Sequence, residues 1–308
     1  METLYITHPT CKLHEMGEGH PECPERLDAI SDQLLSSGLM PYLKEHSDIS
    51  PIDKQALERV HPIHYLDQLA KCLPDAGYHE VDSDTVMNKH SLEAARYAAG
   101  AVVSAVDAIM AKEAQTAFCA VRPPGHHASR DQAMGFCFYN NIAVGVAHAI
   151  EKHGVNRIAI IDFDVHHGNG TENIFANDPR VLMCSFFQYP LFPDCGVHNP
   201  APNMVNVPVP AYSSGDVIRQ LVVHQWLPRL AQHQPELIFI SAGFDAHRED
   251  DIAQLGLVEA DYAWLTQQIV AVADLYSQGR IVSALEGGYN LSALGRCVVT
   301  HIKALSKL

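Results

Sequence analysis

Asp162, Asp164 and His166 stand at alternate positions of the run AspPheAspValHisHis. Alternate residues of an extended chain project to the same side, so a carboxylate and an imidazole two residues apart can grip one metal ion. Asp245, which closes SerAlaGlyPheAsp at 241–245, can supply a third ligand. Two carboxylates, one imidazole and an open position make a catalytic rather than a closed structural site. Such a set suits zinc, with ferrous iron or cobalt as alternatives. A single Asp at a strand end more often caps the helix that follows. It is the spacing of Asp162, Asp164 and His166, joined to Asp245, that favours a metal. His167 repeats the imidazole, but an extended chain aims it the other way.

A second cluster is His126–His127, which follows ProProGly. Histidine is the usual general acid or base near neutral pH, and this pair sits directly after an apolar run. A third is Tyr289 in GluGlyGlyTyr at 286–289. Two glycines allow close backbone approach, and a phenol can donate to a developing oxyanion. Glu286 beside it reads as a capping or supporting residue with no catalytic role.

These clusters need elements to position them. Short, nearly continuous apolar runs at 117–121, 157–161, 181–185, 237–240 and 280–284 read as buried parallel strands. They alternate with helical stretches at 23–36, 90–111, 140–153, 214–232, 259–276 and 291–308, and Pro228 is expected to bend or shorten the fourth of these. The alternation predicts a doubly wound α/β sheet. Four of the runs end in the clusters at 122–127, 162–170, 241–245 and 286–289. In open α/β sheets ligands bind beyond the carboxyl ends of the strands, so parallel strands would carry all four clusters to one edge.

The chain has 308 residues, 47% of them hydrophobic, and reads as one domain over 1–308. Its net charge of -15 argues against a basic nucleic-acid surface and suits a cationic ligand. The eight Cys form no CxxC pair, which suggests reduced thiols and a cytoplasmic protein. No signal peptide is visible. The apolar stretch 98–110 carries Asp107 and is too short to span a bilayer.

Six stretches together resemble the histone deacetylase branch of the arginase/deacetylase superfamily: GlyHisProGluCysProGluArgLeu at 19–27, ArgProProGlyHisHis at 122–127, GlyPheCysPheTyrAsnAsn at 135–141, AspPheAspValHisHisGlyAsnGly at 162–170, SerAlaGlyPheAsp at 241–245 and GluGlyGlyTyrAsn at 286–290. The resemblance implies a single α/β domain around an eight-stranded parallel sheet. It implies a zinc-dependent amidohydrolase that cleaves the acetamide of acetyl-lysine or a related acylated amine. One Zn2+ per chain would be held by Asp164, His166 and Asp245. His126 and His127 would be the tandem histidines, the first paired with Asp162 and the second with Asn169, with Tyr289 as the phenol. Asn169 stands where one class of the family carries Asp, which makes the chain class II-like, and the compact chain looks bacterial. An anionic partner raises a histidine's proton affinity more than a neutral amide does. His126 should therefore keep its proton and His127 act as general base. A structural K+ site is implied at Asp162, Asp164, His166, Ser185 and Phe186. Gly135, Phe136, Phe192 and Ile252 would line the substrate tunnel and its rim.

Polyamine-selective relatives carry a glutamate where Ile252 stands, yet Glu249, Asp250 and Asp251 are adjacent, so an acetylpolyamine stays an alternative substrate. The stretch 74–88 is expected to be a rim loop offering Glu80, Asp82 and Asp84 to a cation. Two rivals remain. A binuclear manganese ureohydrolase needs further carboxylates bridging two ions; Gly168 stands where one would be wanted, although His247 is near. A non-catalytic acyl-lysine binding module would be missing a ligand, the base or the phenol. No nucleic-acid or membrane partner is expected, and a homo-oligomer is allowed.

Overall fold

The apolar runs become adjacent strands of one sheet. The computed structural model describes residues 2–308. In chain order the strands are β1 (Thr3–Ile6), β2 (Leu43–His46), β3 (His79–Glu80), β4 (Val86–Met87), β5 (Thr116–Cys119), β6 (Ile158–Asp162), β7 (Val181–Gln188), β8 (Met204–Val209), β9 (Leu237–Ala242) and β10 (Ile281–Leu285). Eight of them form a single sheet in the order β2-β1-β5-β10-β9-β6-β7-β8, and every pairing in it is parallel. This is the single-domain arginase/deacetylase arrangement that the resemblance implied. Strands β5, β6, β9 and β10 are buried at every position, as strands covered on both faces must be.

The helices are α1 (Glu25–Ser36), α2 (Lys54–Leu57), α3 (Ile63–Cys72), α4 (Ser91–Met110), α5 (Asn141–His153), α6 (Asn169–Phe175), α7 (Gly215–Leu221), α8 (Leu227–His233), α9 (Glu259–Tyr276) and α10 (Leu291–Ser306). Helix α10 packs between α1 and α9, and α4 packs on α5. The helix expected over 214–232 is split into α7 and α8 by a π-helical turn, Val222–Trp226, just before Pro228. Proline has no N–H and its ring clashes with the carbonyl four residues back; the widened turn absorbs both. The loop expected at 74–88 contains a small antiparallel hairpin, β3 against β4.

Topology settles where the polar clusters meet. Strands β5, β10, β9 and β6 are four consecutive neighbours, and they are the four whose carboxyl ends run into the clusters. Asp162 lies in register with Ser241 on one side and with Ser185 on the other. Residues more than a hundred positions apart in sequence thus share one edge.

Candidate active site

Asp164, His166 and Asp245 present ligand atoms that all lie within 4.8 Å of one another, and all three residues are buried. Nδ1 of His166 is 3.0 Å from Asp164 Oδ1 and 3.1 Å from Asp245 Oδ2. The strand ends hold these groups in place. The Val165 N–H donates to Asp245 Oδ1 at 3.0 Å, and the Gly287 N–H donates to Asp164 Oδ2 at 2.8 Å. Gly287 is required here, because a Cβ on it would come within 2.2 Å of Asp245 Oδ2 and 2.6 Å of Asp164 Oδ2. Asp245 Oδ2 is a fully buried oxygen with no well-formed hydrogen bond among the described residues. Burial, followed by the neighbouring Asp164 charge, pushes the Asp245 carboxyl up to about 7. Two buried carboxylates facing one another across an imidazole form a set that can hold a cation. The donor set of two carboxylate oxygens and one ring nitrogen fits zinc.

The tandem histidines sit beside this group with their rings 4.0 Å apart. The turn that carries them is fixed by Glu286, whose Oε2 accepts from the N–H groups of Gly125 at 2.7 Å and His126 at 3.1 Å. Nδ1 of His126 lies 3.0 Å from Asp162 Oδ2, and Nδ1 of His127 lies 2.7 Å from Asn169 Oδ1. Their proton affinities diverge. Burial alone would lower His126, but the Asp164 and Asp162 carboxylates hold it well above the usual histidine value. His127 is held well below that value by burial and by the adjacent His126 and His166. An amide oxygen accepting from Nδ1 fixes the proton there, which leaves Nε2 of His127 as a free lone pair.

Tyr289 follows Gly288 at the end of β10 and directly precedes Asn290, which caps α10 by accepting from the Ala293 N–H at 3.0 Å. Asp250 grips the same turn: its Oδ2 accepts from the N–H groups of Tyr289 at 2.6 Å and Asn290 at 3.0 Å. Arg26, fully buried on α1, donates to the carbonyls of Glu286 at 2.6 Å and Gly288 at 2.7 Å. Its guanidinium lies 5.0 Å from the centroid of the Tyr289 ring.

A cavity of about 160 Å³ reaches this group. His127, His166 and Tyr289 line its inner part, and Gly135, Phe136, Phe192, Ile252 and Asp84 complete the lining. The Phe192 ring meets His127 edge-on at 5.1 Å, and Phe136 meets Tyr289 edge-on at 5.9 Å. Gly135 has φ +55, and a Cβ there would lie 2.4 Å from the His127 ring. Of the acids in the rim stretch, Asp84 reaches the cavity. A larger groove of about 420 Å³ beside Arg157, Arg229 and His233 lies at the opposite edge, where β6 and β7 begin.

Ser185 and Phe186, both buried, continue β7 beside Asp162. The Asp164 N–H donates to Asp162 Oδ1 at 3.2 Å, and the Ser185 hydroxyl is 3.5 Å from the Phe186 carbonyl. Asp162, Asp164, His166, Ser185 and Phe186 are thus adjacent at the ends of β6 and β7. His167 points away from the Asp164, His166 and Asp245 trio, with Nε2 2.7 Å from Glu172 Oε2 and Nδ1 3.6 Å from Cys195 Sγ.

Glu286, read from the sequence as a capping or supporting residue, holds the histidine turn; two further supporting residues were missed. Arg26 and Asp250 were given no role at the phenol. An arginine inside an amphipathic helix and one acid among three carry no local signal. Only their burial, 0% exposed for Arg26 and 4% for Asp250, singles them out.

Known proteins carry the same framework. The histone deacetylase domain matches residues 20–305. A histone deacetylase-like amidohydrolase of Pseudomonas aeruginosa is 38% identical over 295 residues, covering 94% of this chain and 77% of that protein. A probable deacetylase of Archaeoglobus fulgidus is 37% identical over 301 residues, covering 94% and 82%. The crystal structure of the HDA15 HD domain superposes with a TM-score of 0.92 at 32% identity, covering all of this chain and 90% of the other.

Proposed function

The chain belongs to the histone deacetylase family, and from that premise we propose that it hydrolyses the acetamide of an acetylated primary amine with one Zn2+ held by Asp164, His166 and Asp245. The carrying observation is the juxtaposition of that buried trio with a histidine pair of divergent proton affinity. Bound there, zinc would supply Lewis acidity toward the amide carbonyl and a water of lowered pKa.

The side chains do the rest. His127, neutral and with Nε2 free, takes the proton of the attacking water. Tyr289 donates its hydroxyl proton in a hydrogen bond to the oxygen that gains charge as the carbonyl carbon becomes tetrahedral. His126, kept protonated by Asp162 and Asp164, maintains positive charge beside the site. It also weakens the hold of His127 on the proton taken from water, so His127 passes that proton to the amine nitrogen as the C–N bond breaks, giving acetate and the free amine. Gly135 leaves room for the His127 ring, and Phe136 with Phe192 confines an aliphatic stem. The oxygens of Asp162, Ser185 and the neighbouring backbone form a set suited to a hard monovalent cation, K+, which would tie the ends of β6 and β7 together.

The cavity favours a lysine-like or polyamine-like amine: its walls are apolar along the stem, and Asp84 stands at the mouth to meet positive charge. The binuclear rival is disfavoured by His247, whose Nε2 lies 3.5 Å from Glu259 Oε2, turned to α9 rather than to the trio. A turnover panel of zinc-loaded protein on acetyl-lysine peptides, acetylputrescine, acetylspermidine and longer acyl-lysines tests the reading. Acetate release from at least one acetylated amine is expected. No release from any of them, with zinc bound, would refute it.

A further inference from the structure

Asp107 on α4 and His148 and His153 on α5 form a second convergent trio, with ligand atoms all within 4.8 Å of one another. Nε2 of His148 and Nε2 of His153 each lie 2.7 Å from the same oxygen, Asp107 Oδ1. The two rings are 5.5 Å apart at 66°, so the three groups approach one point from different directions. The trio lies on the far side of the molecule from the active site. Helix α5 starts at the carboxyl edge of the sheet, and His153 is its last residue, just before β6 begins at Ile158. Asp107 is in the last turn of α4, which leads into β5.

The geometry points to a peripheral transition-metal site in which Asp107, His148 and His153 clip α4 to α5 around one zinc-like ion. Tetrahedral ligation at ~2.0–2.1 Å places ligand atoms roughly 3.3 Å apart. Opening the two 2.7 Å contacts to that spacing requires a shift of roughly half an ångström. Side-chain exposures of 53% for Asp107 and 24% for His153 leave room for it. His148, only 11% exposed, supplies the fixed ligand. Two imidazoles and one carboxylate suit Zn2+, Ni2+ or Cu2+ rather than Mg2+ or Ca2+, and a water would complete the shell on the open side. The chain's net charge of -15 draws cations to its surface.

The test counts metal. Zinc chloride is added to the desalted full chain, bound zinc is measured after gel filtration, and thermal unfolding is followed in parallel. The wild type should retain two equivalents. His153→Ala should retain one, with deacetylase turnover at saturating zinc unchanged. Asp245→Ala should also retain one while losing turnover, which separates this site from the catalytic one. Zinc beyond the first equivalent should raise Tm of the wild type but not of His153→Ala. His153→Ala binding as much zinc as the wild type, or Asp245→Ala binding none, would overturn the proposal.

Discussion

Asn169 Oδ1 meets His127 Nδ1 at 2.7 Å, while the neighbouring His126 Nδ1 meets Asp162 Oδ2 at 3.0 Å. One ring of the pair is braced by a neutral amide and the other by a buried carboxylate. That asymmetry, with the burial of both, sets which histidine is free to accept a proton.

Replacing the amide with an anion removes the asymmetry. On the proposed mechanism His127 must be neutral, so activity should be lost as pH falls through that ring's lowered pKa. In Asn169→Asp the new charge raises the His127 pKa, and the acidic limb of the kcat/KM profile should move to higher pH by about one unit or more. An unmoved limb in a folded, zinc-loaded variant would remove His127 as the base.

The phenol is tested by Tyr289→Phe. The hydroxyl is asked to act only as charge develops, so kcat should fall roughly 100- to 1,000-fold with little change in KM. Zinc content should equal that of the wild type, because Tyr289 is outside the ligand trio. Unchanged kcat would show that the oxyanion is held by other groups.

Gly287→Ala tests how the ligands are spaced. Its Cβ would have to stand 2.2 Å from Asp245 Oδ2, so the two carboxylates must part. The variant should fold, since β10 ends at Leu285, but retain one equivalent of zinc fewer than the wild type on gel filtration. Wild-type zinc retention would mean that the carboxylates do not meet as described.

His301, fully buried on α10, has Nδ1 2.7 Å from Thr266 Oγ1 and Nε2 3.0 Å from Ser283 Oγ. Burial holds its pKa down to about 3. The unfolded chain binds this proton below about pH 6.5 and the folded chain does not. The group's stabilising contribution is therefore intact above that pH and lost as pH falls through the interval toward 3. At pH 5 the loss is about 2 kcal/mol. His301→Gln should be less stable than the wild type at pH 7.5 yet show a smaller drop on going to pH 5, measured by urea unfolding. An equal drop in both proteins would contradict this.

The clusters and their convergence were legible in the sequence because each follows an apolar strand, and parallel strands deliver their ends to one edge. Five of the eight sheet strands were read. The missed β2 is an edge strand with two exposed residues, Lys44 and Glu45. The missed β8, at the other edge, carries Pro208, which an edge strand tolerates and a central one does not. The missed β1 is fully buried, but its apolar run is only Leu4 to Ile6, against Ala117 to Val121 at β5. Long-range braces such as Asp250 to the Tyr289 turn had no sequence signal, because nothing local distinguishes a buried acid from its exposed neighbours.

The central claim is that hydrolysis depends on one metal ion at Asp164, His166 and Asp245. Its most direct test is acetate release from an acetyl-lysine peptide or acetylputrescine by chelator-stripped protein as zinc is added back. Activity should be absent at the start, rise in proportion to zinc and level off at one equivalent, and Asp245→Ala should stay inactive throughout. Activity in the stripped protein that is indifferent to added zinc would contradict the account.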